Sequence, residues 1–475
     1  MDVQPRQVPY LPKSQGTPTQ TLIPFNMASA AQVALERFEQ RYGNIDDYLA
    51  ARLGYGSRSE LYQYLSAEQI DASALAISHI EQGAGFITGD QTGIGKGRIC
   101  ASIIRYAQQQ GKIAVFVTKD KPLYADMMRD VTDIGMRGFR PFITDSSTEI
   151  PLANGGSLKT SGAAQQKQQM GDMMRRGTVH PYSAVFTTYS QLQTVGKKEP
   201  LRRQFLRTMM PNAILILDEA HQAGGSQQRW QVNGLPDRAT FVRELIDQSA
   251  GVFYSSATYA KRPDVMDLYA SRTDLRLGVS SITALENILT RGGVPLQQIV
   301  ASKFVASGQM LRRERSYEGI SFQAQTVPVD RDVADQFSAA MRAIKDFDRA
   351  KQKAIKELSK ELKAAAKALS EDGAIGDVGA KSTNFTSLMH NCIEQGLLAQ
   401  KAEATVQAAM EALERGEKPV IAVANTMGSF IQAYADAHDL NDRDSIELSF
   451  ADLLERYLER SRDVITRDYR GEMTR

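Results

Sequence analysis

The chain has 475 residues, 42% of them apolar and 24% charged, with 57 Lys+Arg against 55 Asp+Glu for a net charge of +2. This is the make-up of a globular chain with room for several domains, and the near-neutral balance means a nucleic-acid partner has to be argued from local sites. Cys100 and Cys392 lie far apart without metal-ligand spacing, which excludes a disulfide framework and fits a reducing cytosol.

Met1 to Pro24 has no apolar core between charged and small-residue flanks, so it is not a secretory signal, and no window approaches 18 uninterrupted apolar residues. Five prolines in those 24 residues predict a flexible lead-in over 1–26. A helical collar is expected over 27–65, with helices at Ala28–Arg41, Asn44–Leu53 and Ser57–Leu65 separated by breaks at Gly54 and Gly56. From about Ser66 short apolar runs alternate with helices: Gly85–Thr88, Lys112–Val117, Ala184–Thr188, Ala213–Leu217 and Gly251–Ser255. Runs that are continuous rather than alternating indicate a parallel sheet covered on both faces, and a first α/β domain is expected over 66–321. Asp145–Gly177, polar and aperiodic, reads as a surface loop or partly disordered insertion.

Phe322–Val329 alternates like a strand and opens the expected second domain, 322–475. A helical arm follows over 333–369, with heptad-spaced apolar positions and lysines at 351, 353, 356, 360, 363 and 367 on a solvated face. Glu394–Arg415 reads as a further helix and Pro419–Ala424 as a further buried strand.

The strongest chemical signal is Asp90-Gln91-Thr92-Gly93-Ile94-Gly95-Lys96-Gly97-Arg98, between a strand and a helix. Small residues let successive N–H groups converge on phosphates, the helix adds its positive end, and Lys96 neutralises the outer phosphates. Asp90 departs from the general pattern, which has a small residue there, and so does Gly97, which stands where a Ser or Thr holds magnesium. The second signal is Ile214–His221, an Asp218-Glu219-Ala220-His221 motif at the end of a buried strand. A carboxylate there holds magnesium and the next polarises the attacking water. Ser256-Ala257-Thr258, at the end of the Gly251–Ser255 strand, can hydrogen-bond the acidic motif and relay the state of the γ-phosphate.

The order phosphate loop, DEAH, SAT resembles superfamily-two helicases, and is most similar to the strawberry-notch-like helicase proteins, in which the loop ends Gly-Lys-Gly-Arg as Gly95–Arg98 do here. Leu65–Ala72, Thr118–Gly135, Thr187–Leu192, Ser255–Met266, Arg312–Phe322 and Leu448–Val464 are also similar, so the likeness runs from about Ile45 to the C-terminus. It implies a RecA-like P-loop NTPase domain with a parallel sheet, an N-terminal helical collar, and an incomplete second RecA-like domain with a long helical insertion. It implies ATP and Mg²⁺ as cofactors, with water taking the place of the hydroxyl missing at Gly97. Gln69 would read adenine, Thr92 to Arg98 would cradle the phosphates, Asp218 would hold magnesium, and Glu219 would be the catalytic base. His221, Ser256 and Thr258 would couple hydrolysis to nucleic-acid binding. Thr118, Lys119, Thr188, Tyr189, Asn425 and Thr426 would touch the sugar-phosphate backbone.

After Gly428 no glycine-Asp or glutamine/arginine motif follows, so the second motor domain is expected to begin and not finish. Arginine fingers are worth roughly 10³–10⁵ in phosphoryl transfer, so the expectation is a chain that binds ATP, hydrolyses it slowly and works with a separate C-terminal motor fragment. Two function classes follow: an ATP-dependent helicase or translocase, DNA favoured, in a bacterial, phage or plasmid setting, or an ATP-responsive interaction module that does not unwind. A small-molecule P-loop kinase has no use for DEAH plus SAT.

Overall fold

The computed structural model describes residues 7–153, 155–193, 199–223, 231–232, 235–258, 265–275, 282–328, 330–368, 378–380, 385–423, 464–467 and 473–474. The chain divides into two compact units, 1–320 and 321–475.

The first unit begins with an antiparallel pair, Gln7–Pro9 (β1) and Leu22–Pro24 (β2). Helices Phe25–Tyr42 (α1), Ile45–Leu53 (α2), Arg58–Tyr64 (α3) and Ala67–Glu81 (α4) follow. The polar caps explain their starts: Asn44 accepts from the backbone of Asp46 and Asp47, and Ser66 with Gln69 forms a reciprocal capping box at α4. The alternating part runs Gly85–Thr88 (β3), Lys96–Gln109 (α5), Ile113–Thr118 (β4), Leu123–Asp133 (α6) and Pro141–Ile143 (β5). It continues with the hairpin Glu149–Pro151 (β6) and Ser157–Lys159 (β7), then Ala163–Arg176 (α7), Ala184–Thr188 (β8), Leu201–Met209 (α8) and Ala213–Asp218 (β9). Gln231–Val232 (β10), Leu235–Pro236 (β11), Arg238–Gln248 (α9), Gly251–Ser255 (β12), Asp267–Ala270 (α10), Ile282–Ala306 (α11) and Met310–Leu311 (β13) complete the unit.

Seven strands form one sheet in the order β13-β3-β12-β9-β4-β8-β5, each pair of neighbours parallel. Every residue of β3, β4, β8 and β12 is buried, as the continuous apolar runs require of strands covered on both faces. Phe116 and Phe186 meet across β4 and β8 with ring centroids 5.2 Å apart, each burial contributing about 1.5–3 kcal/mol. The register brings Thr88, Ser255 and Asp218 side by side, and pairs Thr118 with Thr188 one strand further. Polar side chains thus gather at the carboxyl edge of an otherwise apolar sheet, where open α/β folds bind ligands.

In the second unit, Arg331–Ala368 (α12) covers 333–368 of the expected arm, Phe385–Glu414 (α13) contains most of the expected helix Glu394–Arg415 but starts nine residues before it, and Val378–Ala380 (β14), Val464–Arg467 (β15) and Met473–Thr474 (β16) pair antiparallel.

Several expectations need correction. Residues 7–24 are not a free lead-in: the Tyr10 hydroxyl and the Ser14 amide donate to Asp71 at 2.8 and 2.9 Å, and the Thr19 amide donates to Glu68 at 2.8 Å. Two buried carboxylates of α4 anchor a segment whose prolines merely keep it extended. The region 145–177 holds the β6–β7 hairpin and α7, which buries Met170 and Met173 and places Gln166 Nε2 against the Ile143 carbonyl at 2.7 Å. Helix α5 starts at Lys96 rather than Ile99 because Gly95, at φ +95°, turns the chain into it. In the second unit, residues 322–328 and 419–423 carry no strand pairing, and Phe322 and Val420 are exposed. Ala424, Asn425 and Thr426 lie outside the described residues.

Candidate nucleotide site

A cavity of about 570 Å³ opens at the carboxyl edge of the sheet. Its lining takes in the loop Thr92–Arg98, Gln69 and Ser66 from the start of α4, Asp218 and Glu219 after β9, Asp126, Arg129 and Asp130 from α6, and Arg315. The size suits a nucleotide, whose pockets run to roughly 300–1,000 Å³. Lys96 and the Asp218–Glu219 pair line the same cavity.

The loop after β3 is shaped by its glycines. Gly93 and Gly95 have φ of +92° and +95°, which side chains other than glycine's seldom tolerate. A Cβ at Gly95 would fall 2.1 Å from Gln69 Nε2, so the Gln69 amide lies directly on the loop. Its Oε1 meanwhile accepts the Ser66 amide at 3.0 Å, so the residue expected to read adenine is also the internal half of the α4 capping box. Lys96 Nζ donates to the Asp90 carbonyl at 2.9 Å, folded back over the loop it would serve.

Asp90 does not face the cavity. It is fully buried against Arg313, also fully buried, accepting from Nη2 at 2.6 Å, Nε at 3.1 Å and the Arg313 amide at 2.9 Å. Two residues on, the Arg315 amide donates to Gln91 Oε1 at 2.8 Å, and its guanidinium donates to the carbonyls of Gly93 and Thr19 at 3.0 Å each. The segment after β13 therefore ties the phosphate loop to the N-terminal segment. The Arg312–Phe322 stretch that carried part of the resemblance gave no hint of this role; the acidic residue at Asp90, foreign to the general motif, was the available signal.

Asp218 accepts from the Thr118 hydroxyl at 2.9 Å and the Ser255 hydroxyl at 3.3 Å. Burial pushes its carboxyl above the usual range, while Thr118, Ser255 and the charge of Lys96 oppose that shift. Glu219 sits at φ +47°, a strained position for a side-chain-bearing residue of the kind concentrated at functional sites. Its Oε2 lies 3.3 Å from His221 Nδ1, which is 2.9 Å from Ser256 Oγ and 3.1 Å from Thr258 Oγ1. The three residues expected to couple the site are thus joined to one another and to the expected base.

The residues expected on the nucleic-acid side divide. Thr118, Thr188 and Tyr189 are at most 2% exposed: Thr118 bonds Asp218, Thr188 bonds Ser190 and the Tyr189 hydroxyl donates to the Asp218 carbonyl at 2.9 Å. Their side chains are spent inside the fold, at the ends of β4 and β8. Lys119 is exposed.

Asp130 was missed. Burial raises its carboxyl above the usual range, with Arg129 pulling it back. Burial likewise pushes up the Cys100 thiol beneath the site, with Asp218 and Asp130 adding to the shift and Lys96 opposing it, which puts all four groups in one electrostatic neighbourhood.

Among the described residues no three His, Cys, Asp or Glu side chains form a ready metal cage. Mg²⁺ keeps several waters and takes one or two carboxylates plus the phosphates of its nucleotide. A carboxylate held by two hydroxyls beside a lysine and a glycine-lined helix N-terminus is a donor set that fits Mg²⁺ with a triphosphate. No helix among the described residues is long and apolar enough to cross a membrane.

The family model described as P-loop containing NTP hydrolase pore-1 matches residues 53–339. The Drosophila melanogaster Protein strawberry notch is 29% identical over 288 residues, 56% of this chain and 16% of that protein. The Homo sapiens Protein strawberry notch homolog 2 is 27% identical over 284 residues, 56% of this chain and 18% of that one, and the Arabidopsis thaliana Protein FORGETTER 1 is 28% identical over 284 residues, 54% and 19%. The chain spans less than a quarter of the length of these relatives, and their origins lend a phage or plasmid setting no support. The solved Sulfolobus solfataricus SWI2/SNF2 ATPase core in complex with dsDNA overlaps at TM-score 0.36 and 13% identity, covering 71% of this chain and 64% of that one, too distant to bear on mechanism. With the family model covering more than half of its residues, the chain belongs to the P-loop containing NTP hydrolase pore-1 family, and over that region it is similar to the strawberry notch proteins.

Proposed function

We propose that this chain is the ATP-binding motor half of a helicase or translocase that moves on nucleic acid, DNA in preference to RNA. The observation that supports it best is the facing of Lys96 and the Asp218–Glu219 pair across one cavity at the carboxyl edge of a parallel sheet. Bound Mg²⁺-ATP supplies the transferable phosphoryl group and the charge that its transfer spreads. Lys96 leaves the Asp90 carbonyl and neutralises the outer phosphates. Thr118 and Ser255 hold the Asp218 carboxylate in one orientation toward the metal, directly or through water. Glu219 takes a proton from the attacking water, and its contact with His221 passes the change to Ser256 and Thr258. Gln69 offers its amide at the adenine end. Lys119, with main-chain groups around Thr118, Thr188 and Tyr189, contacts the sugar-phosphate backbone, so binding is sequence-tolerant and weakens with salt.

The test is a titration of fluorescent ATP into the wild-type chain and its Lys96→Ala variant, followed by phosphate release with and without DNA. Lys96→Ala is expected to lose affinity at least tenfold; undiminished affinity would overturn the motor reading. A non-unwinding interaction module remains the second reading, because α13 exposes Leu397, Val406, Met410 and Leu413. Strand displacement by the wild type that disappears in Glu219→Gln favours the motor; absence in both favours the module.

A further inference from the structure

We propose that Asp130 takes over the magnesium contact that a Ser or Thr after the loop lysine would otherwise provide, and that Gly97 is glycine because this carboxylate occupies its side-chain space. The inference rests on the nucleotide reading above and assigns a residue within it.

An ideal Cβ placed at Gly97 would lie 1.8 Å from Asp130 Oδ2, with the carboxyl carbon at 2.9 Å. A side chain at position 97 would have to displace that oxygen, so the oxygen stands where a hydroxyl-bearing side chain would begin. The carboxylate is aimed as well as present. Arg129 donates from Nε and from Nη2 to Oδ1, both at 3.2 Å, while no donor among the described residues reaches Oδ2. The guanidinium thus grips one oxygen and leaves the other for the cavity that Asp130 shares with Lys96, Asp218 and Glu219. Fixing a ligating carboxylate through its second oxygen is how outer-shell partners orient metal ligands. Mg²⁺ prefers hard oxygen donors, and a carboxylate serves at least as well as a hydroxyl while adding one negative charge.

That charge gives the proposal a signature a packing role lacks. Asp130 adds a negative charge to the cavity that Asp218 and Glu219 also line; that charge repels a bare triphosphate and turns to attraction when the metal is present. Asp130 should therefore strengthen binding of Mg²⁺-ATP and weaken binding of metal-free ATP.

The experiment measures fluorescent-ATP affinity in Mg²⁺ and in EDTA for the wild type, Asp130→Asn, Asp130→Ala and the double variant Gly97→Ser/Asp130→Ala, with thermal melting to check folding. We expect the Asp130 variants to lose about tenfold or more in Mg²⁺-ATP affinity and to hold or gain affinity for metal-free ATP. The double variant should regain most of the Mg²⁺ dependence through its new hydroxyl. Equal losses with and without metal, or a Mg²⁺ dependence unchanged from wild type, would overturn the assignment while leaving the nucleotide site intact. Failure of the wild-type chain to bind ATP in either condition would overturn the nucleotide reading and this assignment with it.

Discussion

Replacing Arg313 by Met tests how the phosphate loop is held in place. Methionine keeps much of the length and volume of the side chain but removes its charge, and so strands the carboxylate of Asp90, which is fully buried. Asp90 would lose donors at 2.6 and 3.1 Å and keep only the residue-313 amide at 2.9 Å, and the Glu68 carbonyl would lose its guanidinium partner. Removing one member of a buried pair costs about 3–5 kcal/mol, because the other charge stays behind uncompensated. Against a total stability on the order of 5–15 kcal/mol this is a large fraction, equivalent to a fall in melting temperature on the order of 5–10 °C. The partner experiment is Asp90→Asn/Arg313→Met, which removes both charges and keeps an acceptor for the residue-313 amide. Urea unfolding followed by circular dichroism should show the double variant recovering more than half of the loss. Fluorescent-ATP affinity should fall in the single variant and return in the double, since the Arg315 bonds to Gln91 and Gly93 depend on the same segment. A single variant within about 1 kcal/mol of wild type, or a double variant as unstable as the two singles summed, would refute the account.

Glu219→Gln should keep Mg²⁺-ATP affinity within a few-fold and lower phosphate release by roughly 10²–10⁴, the range general-base catalysis contributes; unchanged turnover would remove Glu219 from that role. Gly95→Ala meets a left-handed backbone and Gln69 Nε2 together, so ATP affinity should collapse in titration even where the melting temperature moves little, and wild-type affinity would show that the loop is not held as described. Burial pushes the Asp71 carboxyl up to about 6, so between about pH 4 and 6 the folded chain holds a proton that the unfolded chain releases. Stability should consequently fall as pH rises through that window and level off above it, a slope that unfolding of Asp71→Asn should lack; parallel pH profiles for the two proteins would contradict the assignment.

What could be read from the residues alone follows the range of the forces involved. Five of the seven strands of the central sheet were legible because burial on both faces writes a continuous apolar run such as Ile113–Val117 or Ala213–Leu217, whereas β5 and β13, three and two residues long, are too short to write one; the helical collar was legible because Asn44, Gly54 and Ser57 punctuate it locally. The N-terminal segment misled because proline content reports backbone stiffness, whereas its anchors, Glu68 and Asp71, lie some fifty residues away. The region 145–177 misled because α7 buries a narrow seam of two methionines and a glutamine among polar residues, too few to mark a period. Pro419–Val423 misled in the opposite direction: an apolar run says what a strand would bury, and nothing about whether a sheet is there to receive it.

The two places where the loop departs from the general phosphate-binding pattern carry the same lesson about the site. Asp90 and Gly97 each look like a defect when only their neighbours in sequence are compared, since one adds a charge where a small residue is usual and the other removes a hydroxyl. Each has a distant partner: Arg313 closes on Asp90, and Asp130 fills the space above Gly97. The charge at Asp90 is neutralised inside the fold and draws the segment after β13 over the loop, where Arg315 then lines the cavity. The space at Gly97 admits a carboxylate that its own helix could not present from that position. A motif defined by consecutive residues assumes that the chemistry of a site comes from one segment. Here the loop lends only backbone and Lys96, and the acidic groups around them are contributed by β9 and α6. Changing position 97 alone toward the general pattern should therefore injure the site, and Gly97→Ser should gain function only once Asp130 has been cut back.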